Sequence, residues 1–257
     1  RGGSRTIPSQ YFVHCVVERC VGEEAKGQLE GALVALLKAG AVSVRAEPGL
    51  FAHALEAGNL FLVRAVLQHA TDVPEVDLVK ALRLILVRAS KASLDAFVTK
   101  LAAEAPDLPV LDHDSARRYL LDQVMVMPRE HMLLVGELRR LTLRETVRLL
   151  KYCQSLLKMH GVAANANAKL LKPKGARVPT LTCVVEWTSA ILDAHYTALA
   201  MAPDCRALLQ ELSGIVKGET VLMREMLSLD GLLSHIVHRK KLPVKPIREY
   251  SVETLYL

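Results

Sequence analysis

Apolar residues recur at the spacing of an α-helix along almost the whole chain, so the pattern predicts an all-α protein. The periodic stretches, bounded by Pro, Gly and polar residues, predict successive helices over about 8–21, 28–40, 48–57, 59–70, 74–90, 91–105, 113–127, 128–140, 142–160, 180–201 and 203–237. Short connections make neighbouring helices pack antiparallel. We therefore expect irregularly stacked helical hairpins, as a solenoid-like array or a bundle, ending in a long amphipathic helix and an extended tail.

Local signals fix several helix ends. Gly40 follows a Leu-rich helix and is a natural stop, and Asn59 is the expected N-cap of the helix it precedes. Thr142 and Glu145 have the spacing of a capping box, in which a hydroxyl and a carboxylate satisfy free N–H groups at a helix start. Near the C-terminus, Gly231 predicts a kink or a break in the longest helix, because glycine is a poor helix former.

The longest helix has a wide apolar face. Its apolar positions advance in alternating steps of four and three residues, interrupted at Glu219: Leu208, Leu212, Ile215, Leu222, Met226, Leu229, Leu233 and Ile236. A second apolar row, containing Val216 and Met223, runs alongside. The face is wider than the seam of a two-stranded coiled coil and suits a bundle or stacked hairpins.

The composition supports helices and suggests a division of the chain. Hydrophobic residues make up 51% and aromatic residues only 4%, which suits helix-on-helix packing better than β-sheets. Residues 161–179 lack helical periodicity. We predict an N-terminal helical array (1–160), a basic flexible insert (161–179) and a C-terminal helical hairpin with a basic tail (180–257), one continuous domain being the alternative. The N-terminal residues suggest a fragment of a longer protein.

Positive charge is concentrated in two segments that also contain prolines. The net charge is +6, of which 165–179 contributes +4 and 238–248 contributes +5, leaving a slightly acidic body. Such segments are solvated loops or contact phosphates or an acidic partner. Aromatic side chains for base stacking are sparse there, so any RNA contact would be to the backbone. The candidate contact residues are Lys169, Lys172, Lys174, Arg177, Arg239, Lys240, Lys241, Lys245 and Arg248.

The candidate clusters for catalysis or metal binding all have structural interpretations. We interpret His14, Cys15 and Cys20 as buried structural residues, since they lack a second ligand pair for zinc. Asp193 is two residues from His195 and cannot easily orient it on a helix, so His195 is interpreted as a core or interface histidine. Cys153 with His160 is likewise interpreted as structural. The run 112–114 lies at a helix start, where N-cap residues and acids belong.

No local motif of an enzyme is present: the chain lacks a Gly-rich phosphate loop, a GxSxG elbow and an HExxH pair. We predict no catalytic residues, no cofactor, no metal and no small-molecule substrate. No run of residues is apolar enough for a membrane span. The 5 irregularly spaced cysteines indicate an intracellular, reducing compartment.

A segment within 184–196 carries a resemblance to a known family. Trp187 is followed by Leu192-Asp193-Ala194-His195-Tyr196, then by the long Leu-rich helix and by a terminal Tyr-Ser-Val-Glu stretch at 250–253. This arrangement resembles the C-terminal helical region of the nucleolar protein 11 family, most closely over 180–257.

The resemblance implies a function. The family belongs to the UtpA subcomplex of the small-subunit processome and supports rRNA transcription and early pre-18S rRNA processing in the nucleolus. It implies a non-catalytic scaffold that binds other UtpA-type subunits. Two alternatives stay open from the residues themselves, a helical module of a trafficking coat or adaptor complex and an enzyme on an all-α fold.

Overall fold

The computed structural model describes residues 9–21, 30–70, 72–104, 111–166 and 177–237. Its α-helices are α1 (Gln10–Val21), α2 (Glu30–Lys38), α3 (Pro48–Glu56), α4 (Leu60–His69), α5 (Glu75–Arg83), α6 (Lys91–Glu104), α7 (His113–Val126), α8 (His131–Leu138), α9 (Leu143–Ala166), α10 (Leu181–Met201) and α11 (Arg206–Val237). Across these ranges the structure contains helices and no strand, which confirms the predicted all-α class.

The helices group into two compact units, Arg1–Leu209 and Gln210–Leu257. In the first unit, neighbours in sequence pack together, as α3 does on α4, α6 on α7 and α9 on α10. Further contacts join the pairs into layers, since α2 packs on α4, α5 on α8, and α10 on α8 as well as on α9. The described part of the second unit is helical, formed by α11. This architecture confirms the predicted stack of helices.

The α3–α4 turn shows why the local signals work. Gly58 has φ +64°, a left-handed conformation that glycine adopts without steric cost. Its N–H donates to the Leu55 carbonyl at 3.3 Å, and the N–H of Asn59 donates to the Ala54 carbonyl at 3.0 Å. These two bonds form a Schellman motif that closes α3. The Asn59 side chain then accepts from the N–H of Leu62 at 3.2 Å, so the predicted N-cap is confirmed.

The capping box at the start of α9 is also confirmed. The Glu145 carboxylate accepts the backbone N–H of Thr142 at 2.7 Å and its hydroxyl at 2.9 Å. The Glu145 N–H in turn donates to the Thr142 hydroxyl at 3.4 Å. From the neighbouring α5, Arg83 donates to the same carboxylate at 3.1 Å. A local cap thereby also ties α9 to α5.

Some predicted helix limits differ from the structure. α9 extends to Ala166, six residues beyond the predicted end at His160, because 161–166 contains three alanines, the strongest helix former, which offset Gly161. A π-helical turn over Leu84–Arg88 follows α5 directly and was not foreseen. The break predicted at Gly231 is wrong, since α11 continues to Val237. The division at 161–179 stays a prediction, because 167–176 lies outside the described residues, although α10 packs in the same unit as α8 and α9.

Candidate interaction surfaces

Trp187 joins α10 to the end of α7. Its side chain is fully buried, and its indole Nε1 donates to the carbonyl oxygen of Met125 at 3.0 Å. The thiol of Cys183 donates to the same oxygen at 2.9 Å. The guanidinium carbon of Arg129 lies 5.2 Å from the Trp187 ring centre. Its Nη1 donates to the Met125 carbonyl oxygen at 2.9 Å. The Met125 carbonyl is in the last turn of α7, where no intrahelical partner exists, so three later side chains satisfy it.

Asp193 and His195 contact different parts of α8. The Nε2 of His195 lies 2.8 Å from the carbonyl oxygen of Leu138, the last residue of α8. The Asp193 carboxylate lies 3.3 Å from Nε2 of His131, at the first residue of α8. His195 also has non-helical backbone angles (φ −126°, ψ 15°), so α10 kinks there. The half-buried His195 is therefore a structural residue. The Asp193 carboxylate contacts His131 and does not orient His195.

Two residues of the candidate cluster His14, Cys15 and Cys20 lie where the sequence did not predict them. α1 buries Val13, Val17 and Cys20, which recur on one face, so His14 and Cys15 lie exposed on another. The prediction that His14 and Cys15 are buried is therefore wrong. The hydrogen bond and charge of Glu47, whose two carboxylate oxygens lie 3.0 Å from Nδ1, raise the pKa of His14. Among the described residues no group of His, Cys, Asp and Glu could hold a metal ion.

The remaining candidate clusters also have structural partners. Cys153 is fully buried, and burial raises the pKa of its thiol to about 12. The Nε2 of His160 lies 3.0 Å from the carbonyl oxygen of Pro179. Asp112 accepts the N–H of Ser115 at 3.3 Å as the N-cap of α7, as the sequence predicted. Each of these groups contributes to packing or to a helix end.

The two basic segments lie mostly outside the described residues. Of the nine candidate contact residues the structure describes Arg177, which is exposed and precedes α10. Burial, followed by the charges of Lys38, Arg64 and Arg177, lowers the pKa of His69 at the end of α4. Arg177 thus adds its charge to the cations of α2 and α4. Outside the described residues lie Lys169, Lys172, Lys174, Arg239, Lys240, Lys241, Lys245 and Arg248.

A row of basic residues on α9 was missed by the sequence reasoning. Arg144, Arg148 and Lys151 are exposed and border a cleft of about 560 Å³. Leu143 and Val147 of α9 line its apolar wall, and the facing wall is lined by Ala202, Asp204, Cys205 and Leu208. The spacing of four and three residues places the cations on one helix face and could have revealed them. The cleft adds a cationic surface to the first unit.

A half-buried acid on α7 was also not predicted from the sequence. The phenolic hydroxyl of Tyr152 donates to the Asp122 carboxylate on α7. Burial raises the pKa of Asp122 to about 6, against the opposing effects of the Tyr152 hydrogen bond and the Arg118 charge. Burial and the same carboxylate raise the pKa of Tyr152 far above its usual value. The pair is a polar contact between α7 and α9 whose carboxylate has a pKa of about 6.

The second unit presents an exposed apolar face on α11. Met226, Leu229 and Leu233 are 56%, 53% and 55% exposed, and Met223 is 46% exposed. Along the ranges described, no helix combines the length and hydropathy needed to cross a bilayer. The candidate surfaces are thus this apolar face, the cationic cleft on α9 and the exposed Arg177.

Comparison with known proteins gives one family. Residues 25–257 match the model of the nucleolar protein 11 C-terminal domain. The chain is 25% identical to nucleolar protein 11 of Xenopus laevis over 94% of its own length and 39% of that protein. It is 22% identical to nucleolar protein 11 of Gallus gallus, covering 96% of this chain and 38% of that protein. The chain thus spans about two fifths of the length of these curated relatives.

Proposed function

The chain belongs to the nucleolar protein 11 C-terminal domain family, and from this we propose that it is a non-catalytic assembly scaffold of ribosome biogenesis. The relatives' shared name indicates the nucleolus as its location. The family match over residues 25–257 carries the proposal. It supports a place in the small-subunit processome, where the domain holds UtpA-type subunits together during rRNA transcription and early pre-18S rRNA processing.

The geometry is consistent with a scaffold. The ionisable pairs Asp193–His131, His14–Glu47 and Asp122–Tyr152 each join two different helices or a helix and the cap of another. The large exposed side chains, by contrast, lie on helix faces, where they suit protein contact. The family assignment favours this function over a module of a trafficking coat and over an enzyme on an all-α fold.

The experiment is affinity capture of the full-length tagged protein from nuclear extract. We expect UtpA-type subunits and other processome proteins to be captured reproducibly with the tagged protein. Depletion of the protein should reduce 18S rRNA and change the level of its early precursors, with 28S rRNA less affected. Capture of the tagged protein without processome proteins, together with normal pre-18S processing after depletion, would contradict the proposal.

We further propose that the two basic segments contact the rRNA backbone. Clustered cations without interleaved aromatic residues favour phosphate contact over base recognition.

The test is crosslinking of the full-length protein to RNA at increasing salt, with Lys169, Lys172, Lys174 and Arg177 changed to Gln. We expect a lower RNA yield and a weaker salt dependence. The matched control changes four exposed cations of the helical body to Gln: Arg45, Lys91, Arg139 and Arg206. Equal losses in both variants would contradict a role of the segment itself.

A further inference from the structure

The exposed face of α11 has the periodicity of a helix–helix contact. From Ile215 onwards, the positions at alternating steps of four and three residues are Glu219, Leu222, Met226, Leu229 and Leu233. The last three are each more than half exposed, although side chains of this kind are normally buried. A repeat of this kind brings its members to one side of a helix, where they fit between the side chains of a facing helix.

Glu219 is the acidic exception in this apolar seam. It occupies a position that faces the partner helix, and it is half-buried. A carboxylate enclosed between two helices needs a cation or hydrogen-bond donors, because an unpaired buried charge is costly. A polar residue at one seam position fixes the register of a pair and selects the partner. Glu219 therefore calls for a Lys or Arg on the facing helix.

The edges of the seam carry two acids beside the apolar row of Val216 and Met223, and the opposite side of α11 carries cations. Glu225 occupies the edge position that precedes the seam residue Met226. Asp230 lies on the other edge, beside Leu229. Lys217 and Arg224 lie seven residues apart on the side away from the seam. This distribution favours a partner whose apolar seam is bordered by Lys and Arg.

The same charges disfavour pairing of α11 with a second copy. In a parallel pair, the edge residue Glu225 of one helix would face Asp230 of the other, five residues further on, and Glu219 would face Glu219. In an antiparallel pair, like edges meet, so the edge containing Glu225 would face its own copy. Like charges at such positions are destabilising. A different, basic helix avoids both conflicts.

We propose that the α11 face from Ile215 to Leu233 binds an amphipathic helix of another protein, with Lys or Arg along its edges and one opposite Glu219. The inference rests on the proposed scaffold function and names the kind of partner that it holds. Met226, Leu229 and Leu233 form the apolar part of the contact, and the acids set the register and exclude self-association.

The first experiment identifies what touches this face. A photo-crosslinking amino acid replaces Met226 in the full-length protein, and crosslinked peptides are identified by mass spectrometry after irradiation in cells. We expect a peptide of another protein that has an apolar heptad bordered by Lys or Arg. A crosslink to α11 of a second copy, to residues 243–257 of the same chain, or to RNA would overturn the proposal.

The second experiment measures the contact with matched variants. A synthetic peptide of the crosslinked segment is titrated against the full-length protein. We expect Leu229→Asp and Glu219→Lys each to weaken binding at least tenfold, and added salt to weaken wild-type binding. The control is Leu227→Asp, which is 73% exposed on the same helix but outside the seam, and it should bind like wild type. Helical content by circular dichroism is compared for all variants. Equal binding by Leu229→Asp and Leu227→Asp would overturn the proposal.

These results separate the inference from the scaffold function. If the wild-type protein and the Leu229→Asp variant recover processome proteins equally, the proposed α11 contact is wrong while the scaffold function stands. If the wild type recovers no processome proteins but the crosslinked basic helix binds as described, the scaffold function fails while the contact stands.

Discussion

The indole of Trp187 donates a hydrogen bond to the carbonyl oxygen of Met125, a residue 62 positions earlier in the chain. The bond connects the first half of α10 to the last turn of α7. It lies between helices that are separated in sequence by α8 and α9. Trp187 is also the chain's only tryptophan, and it lies in the segment that resembles the nucleolar protein 11 family.

We expect Trp187→Phe to lower the free energy of unfolding by about 1.5–3 kcal/mol. The main cause is the volume lost at a fully buried site, because Cys183 and Arg129 still donate to the Met125 carbonyl. Urea unfolding monitored by circular dichroism measures the change. Tyr196→Phe, at a side chain that is 73% exposed on the same helix, should change stability by less than about 0.5 kcal/mol. Equal stability of Trp187→Phe and wild type would contradict the packing role.

Asp122→Asn should stabilise the chain at neutral pH and have no such effect in acid. Burial raises the pKa of Asp122 from 3.8 to about 6 in the folded state. The folded state therefore holds a proton that the unfolded state releases between these values, and stability falls as pH rises through this window. The neutral amide avoids that loss, which is on the order of 3 kcal/mol at 1.36 kcal/mol per pKa unit.

Thermal unfolding from pH 4 to pH 8 checks this prediction. We expect the difference between the Asp122→Asn variant and wild type to be near zero at pH 4 and to reach its maximum above pH 6. Tyr152→Phe removes the hydroxyl that donates to this carboxylate, so it should raise the pKa of Asp122 further. A stability difference that is the same at every pH would count against the titration of Asp122.

Glu145→Gln should destabilise the chain by about 1–2 kcal/mol at pH 7. Burial opposes ionisation of Glu145, but the hydrogen bonds from Thr142 and the pair with Arg83 together lower its pKa below 4.5. The stability from the ionised group is thus present above pH 4.5 and is lost as pH falls through the lowered pKa. Urea midpoints at pH 7 and pH 3 measure this change.

The control for Glu145 is Glu137→Gln, which alters a pair with the exposed Arg140. We expect this variant to lie within about 0.5 kcal/mol of wild type. The two variants lose the same charge, so they separate the effect of the cap and the α5 contact from a general effect of net charge. Equal destabilisation by both would show that the capping box has no special role.

The thiols should react in the order of their exposure. Cys15 is exposed, Cys183 is half-buried, and Cys20, Cys153 and Cys205 are buried. Burial also raises the pKa of Cys153 to about 12, so its reactive thiolate is scarce at pH 8. Timed iodoacetamide labelling with peptide mass spectrometry should modify Cys15 first. Labelling of Cys153 as fast as Cys15 in the folded chain would contradict the packing of α9, and all five should label alike in guanidinium.

Features determined by neighbours in sequence were predictable. Asn59 caps α4 and Thr142 pairs with Glu145 because each contact spans three residues, so the spacing alone specifies it. The tertiary contacts were not predictable from spacing. Glu47 approaches His14 across 33 residues, and Tyr152 reaches Asp122 across 30. The kink at His195 accompanies its bond to Leu138 on another helix, which no local pattern in α10 reveals.

Each candidate surface likewise has a part that the sequence predicts and a part that depends on tertiary packing. The heptad spacing of α11 was evident from the sequence, but the exposure of Leu229 and Leu233 was not, because spacing does not say whether a face is already covered. The cationic row Arg144–Lys151 shares one helix face through spacing, whereas the cleft beside it depends on how residues 202–208 fold back.

The meeting of three donors on the Met125 carbonyl has a consequence for how this junction can change over evolution. The acceptor is a main-chain atom, which every amino acid at position 125 would supply. Substitution there can alter packing without removing the acceptor. The donors are side chains, so replacement of Trp187 or Arg129 removes a bond outright. Divergent relatives that keep this junction should therefore vary more freely at position 125 than at its two large donors.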